Sequence, residues 1–72
     1  MVWIRSQDRK ILTATYQVYA SLTGVVRAVI VGSGDTDVIG TYSTQERALQ
    51  VLDKIQEHIK SPTWPTFEMP AE

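Results

Sequence analysis

The stretch Ser43 to Lys60, STQERALQVLDKIQEHIK, is the one segment of this 72-residue chain long and periodic enough to form a helix, so the rest of the chain must be arranged to pack on it. Ser43 followed three residues later by Glu46 reads as a capping box, in which both side chains satisfy orphan backbone donors of the first turn. Ala48, Leu52, Ile55 and Ile59 recur at spacings of four, three and four, and Leu49 and Val51 widen that apolar stripe. Arg47, Gln50, Asp53, Lys54, Glu57 and His58 fall mostly on the opposite side, with His58 and Lys60 near the end where cations suit the helix dipole. Pro62 is expected to stop the helix. At 1.5 Å per residue it would run about 25 Å, enough to cross several strands.

The segments before the helix read as strands. Val2 to Arg5 puts Trp3 and Arg5 on one face and Val2 and Ile4 on the other. Ser6-Gln7-Asp8-Arg9 is a polar turn. Ile11 to Tyr19 alternates, with Leu12, Ala14, Tyr16 and Val18 on one face, which predicts a single half-buried strand. Ala20 to Gly24 connects it to Val25–Val31, apolar on both faces except at Arg27 and so expected to be central and covered on both sides. Gly32 to Asp37 is a turn, and Val38 to Tyr42 completes a meander in which Gly40 marks a bulge or a close backbone approach. The three prolines of SPTWPTFEMPAE exclude a central strand but allow Thr66 to Met69 to pair at an edge, with the last residues frayed. The fold class is α+β: an antiparallel sheet of four to five strands in the order β-β-β-β-α, the fifth being a short C-terminal edge strand, with one helix on one face. Residues 1–72 form a single small domain whose tail, 61–72, is largely extended.

A chain of this size buries a limited core and often needs a disulfide, a metal or a partner subunit. With no cysteine and one histidine, disulfides and thiolate zinc sites are excluded and a histidine-rich metal site is disfavoured, so a homo-oligomer, a dimer or higher, is expected. Seven basic and eight acidic residues leave no basic excess for gripping nucleic acid through its phosphates. No apolar run approaches the ~20 residues of a membrane span, and a cytosolic protein is expected.

Little in the chain suggests catalysis. His58 reads as a solvated residue of the last helical turn, with no Ser or Asp placed by sequence to complete a nucleophile and base pair. Asp35 and Asp37 offer too few oxygens for a calcium loop, and Gly32-Ser33-Gly34 leads into a strand rather than the helix N-terminus that a phosphate loop requires. More informative is a cationic and aromatic set: Trp3, Arg5, Arg9, Tyr19 and Arg27, with Lys10, Tyr16 and Tyr42 nearby. Guanidinium groups and flat rings hold nucleotides through bidentate phosphate contacts and base stacking, but the same residues also serve as core aromatics and interface rims. Arg27 carries the most weight, since a guanidinium amid an apolar strand face needs compensation: water at an exposed edge, Asp8 or Glu68 brought close by folding, a carboxylate of a second subunit, or a ligand phosphate.

At three places, Trp3-Ile4-Arg5-Ser6-Gln7-Asp8, the block Tyr42 to Gln56, and Phe67-Glu68-Met69-Pro70, the chain resembles small uncharacterised proteins of bacteriophages and prophages of Gram-positive bacteria. These matches cover about a third of the chain, and the stretch Thr13 to Gly40 lies outside them. The resemblance implies a phage setting in the host cytoplasm, where small non-enzymatic proteins bind and disable host components. The expectation is therefore a non-catalytic binding protein without a cofactor, sequestering a small anionic ligand such as a nucleotide immune signal to counter host defence. The alternative is a protein–protein inhibitor or adaptor acting on a host protein by surface complementarity.

Overall fold

In a computed structural model, which describes residues 2–60 and 66–72, the β-branched runs become short strands and the periodic segment becomes a helix. The order is β1 (Val2–Arg5), β2 (Leu12–Thr15), β3 (Val18–Ala20), β4 (Val25–Val29), β5 (Thr36–Thr41), α1 (Gln45–Lys60) and β6 (Thr66–Glu68). The class is α+β as expected, but the strands form two three-stranded sheets, β2-β1-β6 and β3-β4-β5, rather than one. All the strand pairs are antiparallel except β1 with β6.

The division falls inside the segment Ile11 to Tyr19, which is two strands instead of one. Thr15 is fully buried at the break: its Oγ1 lies 2.8 Å from Val29 O and 2.9 Å from Gln17 O as donor, and accepts the Gln17 N–H at 3.1 Å. This local hydroxyl bonding offers the backbone an alternative to continued pairing. The expected orientation is inverted on the β2 side. Pairing of Val2 with Thr15 and Ile4 with Thr13 ties those threonines to the core face of β1, which leaves Leu12 half exposed and Tyr16 74% exposed. Past the break, Val18 and Ala20 pack against the core as the alternation requires.

In β4 only Val26 and Ala28 are fully buried; Val25, Arg27 and Val29 are half-buried on the outer face, so the strand is central in its sheet but not covered equally on both sides. Gly40 does mark a bulge: the β4–β5 register shifts at Val26/Arg27, leaving Ile39 as the extra residue, buried in the core. A Cβ at Gly40 would stand 2.9 Å from Tyr42 Cε2 and 3.0 Å from Met69 Cε, a close approach that glycine alone permits.

Helix α1 is capped one residue later than the sequence suggests. Thr44 Oγ1 accepts the Arg47 N–H at 3.1 Å, while the Ser43 hydroxyl donates to Glu72 Oε1 at 3.0 Å, so the Ser43/Glu46 capping box does not form. The buried face is Ala48, Val51 and Ile55, with Leu52 partly buried; Leu49 and Ile59 are exposed, a rotation of the stripe towards Val51. His58 packs edge-on against Phe67, ring centroids 5.6 Å apart at 72°, rather than standing free in solvent. The expected stop at Pro62 lies outside the described residues.

The C-terminal edge strand is present, and it is parallel to β1 with Ile4 opposite Phe67. Beyond it the chain docks instead of fraying: Met69 is buried, its N–H donates to Arg5 O at 3.1 Å, and the Tyr42 hydroxyl donates to Pro70 O at 2.8 Å. Ile4, Val26, Ala28, Ile39, Tyr42, Ala48, Val51, Ile55 and Met69 make one core between the helix and the two sheets. No helix among the described residues is long and apolar enough to cross a membrane.

Candidate ligand-binding face

The five residues singled out from the sequence do not converge. Trp3, Arg5 and Arg9 belong to the β2-β1-β6 sheet and the turn that follows β1, whereas Tyr19 and Arg27 belong to the β3-β4-β5 sheet. Trp3 and Arg5 lie on the outer face of β1, as the strand alternation predicts, with Ala14 and Leu12 as their cross-strand neighbours on β2 and Thr66 and Glu68 on β6.

In this first group the arginines are engaged locally. The Ser6–Arg9 turn is held by the Ser6 hydroxyl donating to Asp8 Oδ1 at 2.6 Å and by the Lys10 N–H donating to the same oxygen at 3.0 Å. These bonds favour the ionised form and hold the Asp8 carboxyl below its usual range. Arg9 itself takes a positive φ of 67° in this turn, and its Nη1 reaches Glu68 Oε1 at 2.6 Å. That hydrogen bond, with the guanidinium charge, lowers the Glu68 pKa. Arg5 Nη1 donates to the Arg9 carbonyl at 3.0 Å. Both members of the Arg9–Glu68 pair are exposed, so the pair adds little to stability and mainly orients the turn against β6.

The second group differs. Tyr19, Arg27 and Val38 stand in register across β3, β4 and β5 and therefore share one row on the outer face of that sheet. The two acids of this chain considered as counter-charges are occupied elsewhere, Asp8 in its own turn and Glu68 by Arg9. Among the described residues Arg27 forms no ion pair. Arg27 is half-buried as a residue and stands between an aromatic and an aliphatic neighbour, with Val25 and Val29 before and after it on the same face. A guanidinium carries a permanent charge and planar donors, the chemistry that suits an anionic group.

Among the shallow depressions that the described residues form, three are lined by none of the five. One of about 150 Å³ lies between Gln7, Asp8 and β5, and one of about 200 Å³ lies between the helix residues Leu52, Ile55 and Ile59 and the strand residues Val2 and Val18. The third, about 330 Å³, is bounded by Tyr16, Gln17, Val29–Val31 and the glycines of the β4–β5 turn. Sequence reasoning missed this last feature. The only available signal was an aromatic residue, Tyr16, at a point where strand alternation breaks. The Gly32-Ser33-Gly34 segment is a hairpin turn, closed by Ile30 N–H to Asp35 O at 2.7 Å and Gly34 N–H to Ile30 O at 3.3 Å, and leads into β5 as expected.

No protein-family model matches the chain, and no curated protein or solved structure matches it either.

Proposed function

We propose that the protein is a non-catalytic binding protein of the phage type, sequestering a small anionic ligand such as a nucleotide signal of host antiviral defence. The observation that carries this reading is the row Tyr19–Arg27–Val38, in which a half-buried arginine has no acidic partner among the described residues. A charge in that position is costly unless something compensates it, and a ligand phosphate supplies two hydrogen-bond acceptors to the guanidinium fork. Arg5 and Arg9, already bonded to backbone and to Glu68, are the weaker candidates for ligand contact, and Trp3 lies on the other sheet.

The flatness of the same row favours a second reading, a protein-directed inhibitor or adaptor whose partner presents an acidic side chain to Arg27. Self-association belongs to the proposal as well, because Trp3 and Leu12 on one sheet and Tyr19, Val31 and Val38 near the other are exposed apolar groups on a very small domain. Calorimetric titration of the purified protein with linear and cyclic nucleotides, repeated with Arg27→Gln, separates the readings. Heat of binding that is lost in the variant supports the first. Absence of binding across the panel, with both proteins folded by circular dichroism, rejects it in favour of the second.

A further inference from the structure

We infer that the ligand is a nucleoside phosphate bound in two parts, its phosphate on Arg27 and its base in the depression beside Val29; this rests on the anionic-ligand reading above. The two parts belong to one surface. Val29 follows Arg27 by two residues on β4, so both point to the outer face about 6.6 Å apart along the strand. Val29 also walls the depression of about 330 Å³, which lies within the lower part of the size range of small-molecule sites.

The lining chemistry selects a flat, largely apolar group. Val29, Ile30 and Val31 provide aliphatic contact, and Tyr16, 74% exposed at the rim, presents a ring that the protein's own packing does not use. Gln17 adds an amide able to donate to and accept from the edge of a base. At the opposite wall, Gly32 and Gly34 have no heavy atom within 4 Å of where a Cβ would stand, so the turn leaves its side of the depression clear. Aromatic stacking with a few edge hydrogen bonds and one fixed cation is the combination that distinguishes a nucleotide from a simple anion. Inorganic phosphate satisfies Arg27 alone, and a nucleoside satisfies the depression alone.

The test is a titration of the 15N-labelled protein with AMP, cyclic di-AMP, adenosine and inorganic phosphate, followed by amide shifts and calorimetry. The nucleotides are expected to shift the amides of Arg27 and of residues 29–34 together. Arg27→Gln should weaken AMP about tenfold while leaving adenosine unchanged, and Tyr16→Ala should weaken both. Tyr16 is so exposed that its variant remains folded even if Arg27→Gln does not. If phosphate binds as well as AMP with shifts confined to the neighbourhood of Arg27, or if Tyr16→Ala leaves AMP binding intact, the two-part site is wrong while the anionic-ligand reading stands. If neither nucleotide shifts any amide, both fall.

Discussion

The hydroxyl of Thr15 and the carbonyl oxygen of Val29 lie 2.8 Å apart across the junction of the two sheets. This contact joins the end of β2 to the end of β4 at the point where the meander divides, and Thr15 itself is fully buried there. Thr15→Val keeps the shape and removes the hydroxyl, taking a part-buried hydrogen-bond partner from the Val29 carbonyl and the Gln17 N–H. The expected loss is about 1–3 kcal/mol in chemical denaturation, largely recovered by Thr15→Ser. Equal stability of the valine variant and the parent would show that the hydroxyl does not hold the junction.

The helix makes a second prediction, from the face it buries. Ile55→Ala should cost ~2–5 kcal/mol and Leu49→Ala close to nothing, although the two are equally hydrophobic. Comparable losses at both positions would place the buried stripe elsewhere on the helix.

At Gly24 the backbone has φ +88°, and a Cβ would stand 2.4 Å from the Tyr42 carbonyl oxygen. Neither the conformation nor the space suits another residue, and the obstruction is backbone that cannot swing aside. Gly24→Ala is therefore expected to be among the most damaging single substitutions in the chain. At Gly40 the neighbours are the side-chain ends of Tyr42 and Met69, so Gly40→Ala should cost less, about 1–3 kcal/mol. Thermal melts of the two variants give the order.

Stability should fall at both ends of the pH scale for different reasons. Asp8 and Glu68 have folded pKa values lowered by Ser6 and Arg9 respectively, so each makes a small, solvent-screened contribution above its unfolded value, near 4, which disappears as pH falls through the folded value. Tyr42 behaves oppositely: burial raises its pKa, so its contribution is complete below about 10 and is lost as pH rises through the folded value. Tyr42→Phe should lose about 1 kcal/mol at neutral pH with the Pro70 hydrogen bond, and should flatten the alkaline limb of a melting-temperature profile. Glu68→Gln should soften the acid limb alone.

Self-association is tested by light scattering at micromolar concentration. A mass of at least twice the chain's 8.1 kDa is expected, and Trp3→Glu should lower it. A mass of one chain at all concentrations rejects the homo-oligomer.

What could be read from the sequence was local. The existence of α1, the hairpin glycine at Gly24, the bulge at Gly40 and the late edge strand all follow from residue preferences within a few positions. The orientation of β2 did not, because Thr13 and Thr15 look polar in the sequence and are turned inward by pairing with Ile4 and Val2, residues about ten positions away. The helix was found but rotated, since Val51 and Leu52 are equally apolar and only the sheet beneath selects between them. The ending looked free because its anchors, Tyr42 and Arg5, are remote in the chain. For the same reason the candidate site was read as one set of five residues, whereas the break at Thr15 assigns them to two sheets. Of the three arginines, Arg5 and Arg9 are bonded within the first sheet and its turn, whereas Arg27 stands opposite Tyr19 and Val38 and forms no ion pair among the described residues.

Gln7 imitates a strand. Its N–H donates to Ile39 O at 2.7 Å, its Oε1 accepts the Thr41 N–H at 2.7 Å, and its Nε2 donates to Ala71 O, so one residue meets the outer rim of β5 with both backbone and side chain. The C-terminal half of that rim is thereby taken. A foreign strand adding at β3, the other end of the order, meets no such obstacle, whereas one adding at β5 would have to displace Gln7 from Ile39 and Thr41. Growth by repeated strand addition needs both rims of a sheet, and one residue obstructs the second, which hinders so small a domain from polymerising into fibres through this sheet.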